Sequence, residues 1–257
     1  MKRFKAFAEF HPFLFVAIFV FISLLLIAVA YLWGELFQGS ELSQYIGQSV
    51  TQLVSTLFLI FILWKFGWLG ASGFTSIGRS QTWILITLPF LYVLAKDIYL
   101  ITGEFSFELS NPALLFWLGL SSLTTGLFEE TVFRGVVLFS FLRLWEHSGS
   151  GMTKSISVTA LLFGGMHILR LAENPVSQTL LAMLTAVLAG FFYGVILLHG
   201  RSIWIPIVFH SLHNAGINLN MAGKDAVETP LERFFILVTA IPVFLLGIYL
   251  LKKIPQK

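Results

Sequence analysis

Apolar residues of this chain fall in blocks of about twenty, and this pattern constrains the fold more than any other feature. An α-helix needs about 20 apolar residues to cross a hydrocarbon core of about 30 Å. The chain has 257 residues, of which 57% are hydrophobic and 11% are charged. We therefore predict an all-α fold, a polytopic membrane protein with a bundle of about eight transmembrane helices. The predicted spans are Phe13 to Trp33, Ile46 to Phe66, Thr82 to Ile101, Pro112 to Leu144, Ile156 to Leu171, Thr179 to Leu198, Ile203 to Met221 and Phe234 to Leu251.

The distribution of Lys and Arg predicts the topology of these spans. Loops on the cytoplasmic side of a membrane carry an excess of both residues. With eight spans, most of the 16 basic residues fall on one side, namely Lys2, Arg3, Lys5, Lys65, Arg79, Arg143, Lys154, Arg201, Lys252, Lys253 and Lys257. We expect a multi-pass plasma membrane protein with both termini in the cytoplasm. No segment between the spans is long enough for a soluble domain, so residues 1–257 are predicted to form a single integral membrane domain.

Three charges interrupt the fourth block, where a membrane span should have none. The block is also overlong, since about 33 residues would extend roughly 50 Å. Glu130 and Arg134 are spaced i and i+4 and can pair on one helix face. Glu129 points about 100° away from Glu130 and is left as the free carboxylate. Because buried charges in a span are costly, we expect a functional site here, with Gly126 and Gly135 as points where the helix bends or admits a neighbour.

Two other spans carry strongly polar side chains at a similar depth. His167 lies on the fifth span, and His210 and Asn214 are spaced i and i+4 on the seventh. Measured from the basic residue at each cytoplasmic end, Glu129 lies about 21 Å deep, His167 and Asn214 about 20 Å, and His210 about 14 Å. A single site buried among spans four, five and seven is therefore expected.

A free carboxylate, two imidazoles and an amide suit the hydrolysis of an acyl bond by activated water. A buried Glu can act as a general base, and one imidazole can hold the water. A second imidazole and an amide N–H can donate hydrogen bonds to the developing oxyanion. The chain has no cysteine, which excludes a cysteine nucleophile and thiolate metal sites.

The three motifs together are similar to those of a known family. Glu129-Glu130-x-x-x-Arg134, Phe163-x-x-x-His167 and His210-x-x-x-Asn214, in this order, resemble the CPBP or Abi family of intramembrane proteases, which includes the CAAX prenyl endopeptidases. The resemblance covers roughly residues 111–220, the predicted protease core. It implies that Glu129 and His167 activate water and that His210 and Asn214 donate to the oxyanion. Glu130 and Arg134 are implied to organise the site.

The residues leave metal dependence open. Glu129, His167 and His210 could supply a His₂Glu zinc site with a bound water. No closely spaced pair of ligands anchors a metal, so we favour a site without a metal or other cofactor, and keep zinc or another divalent metal as the alternative.

The sequence lacks the motifs that other classes of intramembrane protease require. Metalloproteases of the site-2 type need H-E-x-x-H, which is missing. Aspartyl proteases need two Asp in spans, but the only two here are Asp225 in a predicted loop and Asp97 near the end of the third predicted span. Gly70-Ala71-Ser72-Gly73 looks like the serine motif of rhomboids but lies in a loop in the wrong order.

Two alternatives to a protease remain from the sequence. One is a non-catalytic membrane protein, such as a bacteriocin self-immunity factor, in which the motifs are scaffold. The other is a proton-coupled transporter, which the absence of paired broken repeats disfavours. The expected partners are membrane lipid and a peptide or protein substrate, with or without a lipid modification. Nucleic acid is not expected, because the basic residues are scattered at span ends.

Overall fold

The computed structural model describes residues 2–36, 40–87, 90–91, 112–172, 174–221 and 230–254, and all regular elements in these ranges are helical. The α-helices are α1 (Lys2–Phe10), α2 (Pro12–Leu36), α3 (Glu41–Phe66), α4 (described over 80–87), α5 (Pro112–Glu130), α6 (Phe139–Leu144), α7 (Gly151–Met166), α8 (Val176–Gly200), α9 (Trp204–Met221) and α10 (Pro230–Leu251). A π-helix (Thr131–Leu138) joins α5 to α6, and a 3₁₀-helix (His167–Ala172) follows α7. The predicted all-α class is confirmed for these residues.

Four of the described segments are long and apolar enough to cross a membrane, namely Pro12–Val29, Glu41–Phe66, Gly151–Ala172 and Val176–Gly200. Helix α10 contributes a shorter apolar stretch, Ile236–Leu251. The count of eight spans stays a prediction. The third predicted span, Thr82 to Ile101, lies largely outside the described residues, which include only 82–87 and 90–91 of it.

The overlong fourth block forms a continuous helical segment from Pro112 to Leu144, the bounds that the sequence predicts. The helix type changes from α to π directly after Glu130. A π-helix bonds each N–H to the carbonyl five residues back, so it is wider than an α-helix, and such segments are frequent at functional sites. Gly135 lies inside this π-helix, whereas α5 continues through Gly126 without interruption.

The contacts divide the chain into two units, of which the first comprises Met1–Leu69, Val93–Val132 and Ile207–Asp225. In this unit α3 packs between α2 and α5. The buried face of α3 is apolar near its C-terminus, with Leu59, Ile62 and Leu63, and polar in its first half, with Ser49 and Gln52. The polar first half of α3 can therefore form hydrogen bonds with α5, which packs against it.

The second unit comprises Gly70–Tyr92, Phe133–Pro206 and Ala226–Lys257. Helix α8 is central, with α7 and α10 packed on it. Gly190 and Gly194 allow a close approach to α7, since a Cβ at Gly190 would lie 3.0 Å from the Phe163 ring and one at Gly194 would lie 3.2 Å from Ile156. Small residues at such a contact let helix backbones approach closely in a membrane, where van der Waals packing drives association.

Candidate active site

Glu130, at the C-terminal end of α5, forms a short hydrogen bond with His210 of α9. The distance from His210 Nδ1 to Glu130 Oε1 is 2.8 Å. Both side chains are buried, with His210 6% exposed and Glu130 fully enclosed. An ionised carboxylate only accepts hydrogen bonds, so Nδ1–H donates to Glu130. This bond fixes the orientation of the imidazole ring.

Glu129 faces the other nitrogen of the same ring. Its Oε2 lies 3.6 Å from His210 Nε2, which is beyond hydrogen-bond distance. The Glu129 side chain is 19% exposed, so it lies at the edge of the buried cluster. The imidazole of His210 is thus flanked by one carboxylate on each nitrogen, and the structure brings three of the six predicted site residues together in the first unit.

Close packing between α5 and α9 sets the position of this cluster. Gly126 has no room for a Cβ, which would lie 2.9 Å from the backbone N of Ser211 and in contact with its Oγ. One turn earlier, Ser211 Oγ donates to the carbonyl of Leu123 at 3.4 Å. Further along, Asn218 Nδ2 donates to Ser122 Oγ at 2.9 Å. The prediction that Gly126 admits a neighbouring helix is confirmed, and the neighbour is the helix that carries His210.

A group of polar side chains joins α3 to α5 near this cluster, and we call it the polar seam: Gln48, Gln52, Thr124 and Thr125. Gln52 Oε1 accepts hydrogen bonds from Thr124 Oγ1 at 3.2 Å and from Thr125 Oγ1 at 2.9 Å. Gln48 Nε2 donates to Thr125 Oγ1 at 3.1 Å. Gln52 is 5% exposed. The polar seam fixes α5 one to two turns before Glu129.

Sequence reasoning missed the polar seam, although a signal for it is present. Gln48 and Gln52 are spaced i and i+4 inside an apolar block, which puts both amides on one face of α3. Two amides at this spacing in an apolar block are a sequence signal for a polar contact between helices.

Asn214 lies one turn after His210 on α9 and is half-buried. In an α-helix, residues four apart are neighbours on one face, so the amide follows the imidazole along the helix. The structure has an α-helix at both positions, as the predicted i and i+4 arrangement of the two polar groups requires.

Arg134 and His167 lie in the second unit, where both contact Phe163. Arg134 is buried in the π-helix and donates from Nη2 to the carbonyl of Gly190 at 3.0 Å. Its guanidinium carbon lies 4.7 Å from the centre of the Phe163 ring and 5.4 Å from that of Tyr193. The aromatic rings and the carbonyl hold the cation in place. The pairing of Arg134 with Glu130 stays a prediction.

His167 lies where α7 gives way to the 3₁₀-helix. Its Nδ1 lies 3.1 Å from the carbonyl oxygen of Phe163, and the two rings meet edge to face at 5.4 Å. A carbonyl only accepts, so Nδ1–H is the donor. In the neutral ring Nε2 is then an acceptor.

In the described part of the chain, no three His, Cys, Asp or Glu side chains are grouped so that they could hold a metal ion. The zinc alternative, which needs Glu129, His167 and His210, stays a hypothesis.

Comparison with known families found one similarity, which covers the segment that carries the three motifs. Residues 111–216 match the model of the family described as type II CAAX prenyl endopeptidase, Rce1-like. We call this matched segment the Rce1-like domain. The match confirms the resemblance that the three motifs indicate, and the Rce1-like domain contains all six predicted site residues. No curated protein and no solved structure matched the chain.

Residues 111–216 are similar to a protease family, and four described segments are long and apolar enough to cross a membrane, which indicates a multi-pass membrane protein. The domain begins at the start of α5 and ends near the end of α9. It therefore includes both helices of the Glu129, Glu130 and His210 cluster.

Proposed function

We propose that the chain is an intramembrane endopeptidase that hydrolyses a peptide bond in a membrane-associated peptide or protein. The observation that carries this proposal is the pair of carboxylates on either side of His210, inside an Rce1-like domain. One carboxylate is enclosed and orients the ring, and the other lies at the edge of the cluster, where a water molecule can reach it. A purely structural ion network would not need the second carboxylate.

In this proposal Glu129 is the general base. Its carboxylate takes a proton from water as the water oxygen attacks the carbonyl carbon of the scissile bond. The carbonyl oxygen becomes an oxyanion in the tetrahedral intermediate. When the C–N bond breaks, the protonated Glu129 returns the proton to the leaving amine.

We propose that His167 holds the attacking water. The assignment rests on the similar depths of His167 and Glu129 in the sequence and on the family motif. It is also supported by the bond of Nδ1–H to the Phe163 carbonyl, since in the neutral ring Nε2 is then the nitrogen of acceptor type.

For His210 and Asn214 we propose the role of oxyanion donors. Both nitrogens of an imidazolium are donors, so in that form of the ring Nδ1–H bonds to Glu130 and Nε2–H donates to the oxyanion. The Glu130 carboxylate orients the ring and stabilises its charge, as the buried carboxylate does in a Ser-His-Asp triad. The Asn214 amide supplies a second N–H one turn along the helix.

Arg134 is proposed to organise the site without touching the substrate. Its contacts with Phe163, Tyr193 and Gly190 fix the π-helix that follows directly after the two carboxylates. The π-helix begins one residue after Glu130, and Arg134 is the fourth of its eight residues.

We propose that the reaction proceeds without a metal ion. In the alternative, Glu129, His167 and His210 would hold zinc, which polarises a carbonyl and activates bound water. Metal analysis of the purified protein and activity after chelation distinguish the two. Loss of cleavage on chelation, restored by zinc, would overturn the metal-free proposal.

The substrate class is proposed to be a peptide or protein tail that enters from the membrane or its cytoplasmic side, and the family description points to prenylated CAAX tails. The experiment is a comparison of membrane peptides in cells that carry either the unaltered chain or Glu129→Gln. Peptides that accumulate uncut only with the variant are the substrates. If no peptide differs although the variant is folded, the protease proposal fails and a non-catalytic role such as self-immunity is favoured.

A further inference from the structure

We propose that Arg79 and Arg201 form a binding site for the phosphate of an anionic lipid headgroup. The site lies at the junction of segments 73–79 and 200–204 in the second unit, which we call the arginine junction. It shares no residue with the carboxylate cluster and does not depend on the protease proposal.

The backbone of the arginine junction brings the two arginines close together. Arg79 N donates to the carbonyl of Gly200 at 3.0 Å, and Gly200 directly precedes Arg201. Both arginine side chains are exposed. The sequence has no Asp or Glu in segments 67–87 and 194–209, so these segments supply no carboxylate to neutralise the two guanidinium groups. Guanidinium groups bind phosphate with two parallel hydrogen bonds, which makes a phosphate the matching anion.

Three further hydrogen bonds hold the junction in one conformation. Ser202 Oγ donates to the carbonyl of Ser76 at 2.6 Å, Ile203 N donates to that of Gly73 at 3.3 Å, and Trp204 Nε1 donates to that of Phe74 at 3.0 Å. A site that is rigid before binding loses less conformational entropy when it binds.

Two glycines are required for this close approach. Gly73 has a φ of 88°, and a Cβ there would lie 2.8 Å from the backbone N of Ile203. Gly78 has a φ of 95°, and a Cβ there would lie 2.8 Å from Ser202 Cβ. Both a positive φ and the lack of space favour glycine at these positions.

Arg201 adopts a conformation in which glycine would be the favoured residue. It caps the C-terminus of α8 with a φ of 57°, and it is the only non-glycine residue with a positive φ in the part of the chain that the structure describes. Helices commonly end with glycine in this backbone conformation, because residues other than Gly and Asn rarely adopt it. An arginine held there at a conformational cost indicates a role for its side chain.

The position of the arginine junction points to a lipid rather than to a soluble anion. Arg201 directly follows Val176–Gly200, a segment long and apolar enough to span the membrane, so it lies at headgroup level. Large apolar side chains are exposed beside it, with Ile77 78% exposed and Trp204 37% exposed. Trp is enriched at the interface between membrane and water, where its ring sits among the headgroups.

The sequence places Arg79 and Arg201 on the same predicted side of the membrane. The Lys and Arg distribution predicts that this side is the cytoplasmic one, where anionic lipids accumulate and attract basic residues near the surface. The arginine junction thus combines two arginines on a hydrogen-bonded backbone with a Trp and an exposed apolar side chain at the end of an apolar helix.

The test is a titration of the purified full chain with phosphatidylglycerol, with bound lipid counted by native mass spectrometry. Phosphatidylcholine, inorganic phosphate and glycerol phosphate are titrated in parallel. The variants are Arg201→Gly and Arg79→Gln, and Lys154→Gln is the matched control, since Lys154 is an exposed basic residue on the same predicted side. Unfolding temperature is measured for each protein in nanodiscs of phosphatidylcholine alone.

We expect each arginine variant to bind phosphatidylglycerol about fivefold more weakly. The control should bind it like the unaltered protein. Arg201→Gly should unfold at the same or a higher temperature, because glycine relieves the strain at φ 57°. Arg79→Gln keeps the backbone bond to Gly200 and serves as the second variant if Arg201→Gly does not fold.

Two results would overturn the proposal. One is a folded arginine variant that binds phosphatidylglycerol as tightly as the unaltered protein. The other is binding of inorganic phosphate as tight as that of phosphatidylglycerol, which would exclude the lipid as the ligand.

Discussion

Glu130 and His210 are 80 residues apart in the chain, yet Nδ1 of the imidazole lies 2.8 Å from Oε1 of the carboxylate. The bond links the end of α5 to the middle of α9, and Glu129 faces the opposite nitrogen of the ring. The spacing of Glu130 and Arg134 along the helix does not indicate this contact between Glu130 and His210. Glu130 positions the imidazole that we propose as an oxyanion donor.

Glu130→Gln should lower kcat with little change in KM. The amide oxygen of the variant side chain can still accept from Nδ1–H, but the neutral amide no longer compensates a charged ring. We expect kcat to fall by about 10² to 10³, the effect of removing one oxyanion donor. Steady-state cleavage of a reporter peptide by the purified protein measures both constants. Glu146→Gln, at an exposed carboxylate, is the control, and an unchanged kcat in Glu130→Gln would argue against the role of the pair.

The sequence predicts the helical segment that carries the site but not its internal geometry. The bounds Pro112 to Leu144 follow from the apolar pattern, because transfer of apolar side chains into lipid depends on composition and length. The π-helix after Glu130 was not predicted, since spacing rules assume 3.6 residues per turn throughout. The pairing of Glu130 with His210 was missed for a related reason. Spacing along one helix reveals only local neighbours, whereas this bond depends on how α5 packs against α9.

Gly126→Ala should destabilise the protein by about 1 to 3 kcal/mol and reduce cleavage, because the new methyl group has no space against Ser211. The shift would separate the helices that carry Glu129 and His210. Unfolding in increasing SDS and reporter cleavage measure the two effects. Gly119→Ala on the same helix is the matched control, since a Cβ there meets no atom within 4 Å. Equal stability and equal cleavage in the two variants would contradict the close contact between Gly126 and Ser211.

Gln52→Leu should remove the acceptor that joins α3 to α5 in the polar seam. We expect a loss of about 1 kcal/mol, the usual worth of a hydrogen bond between helices in a membrane. The loss stays small because Thr124 and Thr125 also bond to the carbonyl of Ser121. Unfolding in SDS measures it against Gln44→Leu, at an exposed position of α3. An equal loss of stability in Gln44→Leu would show that the hydrogen bonds of the polar seam do not account for the effect of Gln52→Leu.

Arg134→Lys should destabilise the protein by about 2 kcal/mol although the charge is kept. The ammonium group cannot stack on Phe163 and Tyr193 as the planar guanidinium does. Arg143→Lys, at an exposed arginine beside Phe139, is the control and should be nearly neutral. Comparable unfolding of the two variants would contradict the anchoring role of Arg134.

The central claim is that Glu129 activates water, and Glu129→Gln tests it most directly. The side chain keeps its size and loses only the ability to take a proton. The measurement is cleavage of a reporter peptide by purified protein in proteoliposomes, with Glu146→Gln as the control. The account predicts that cleavage falls by about 10² to 10⁴ while the variant remains folded. Cleavage by Glu129→Gln at the rate of the unaltered protein would contradict it.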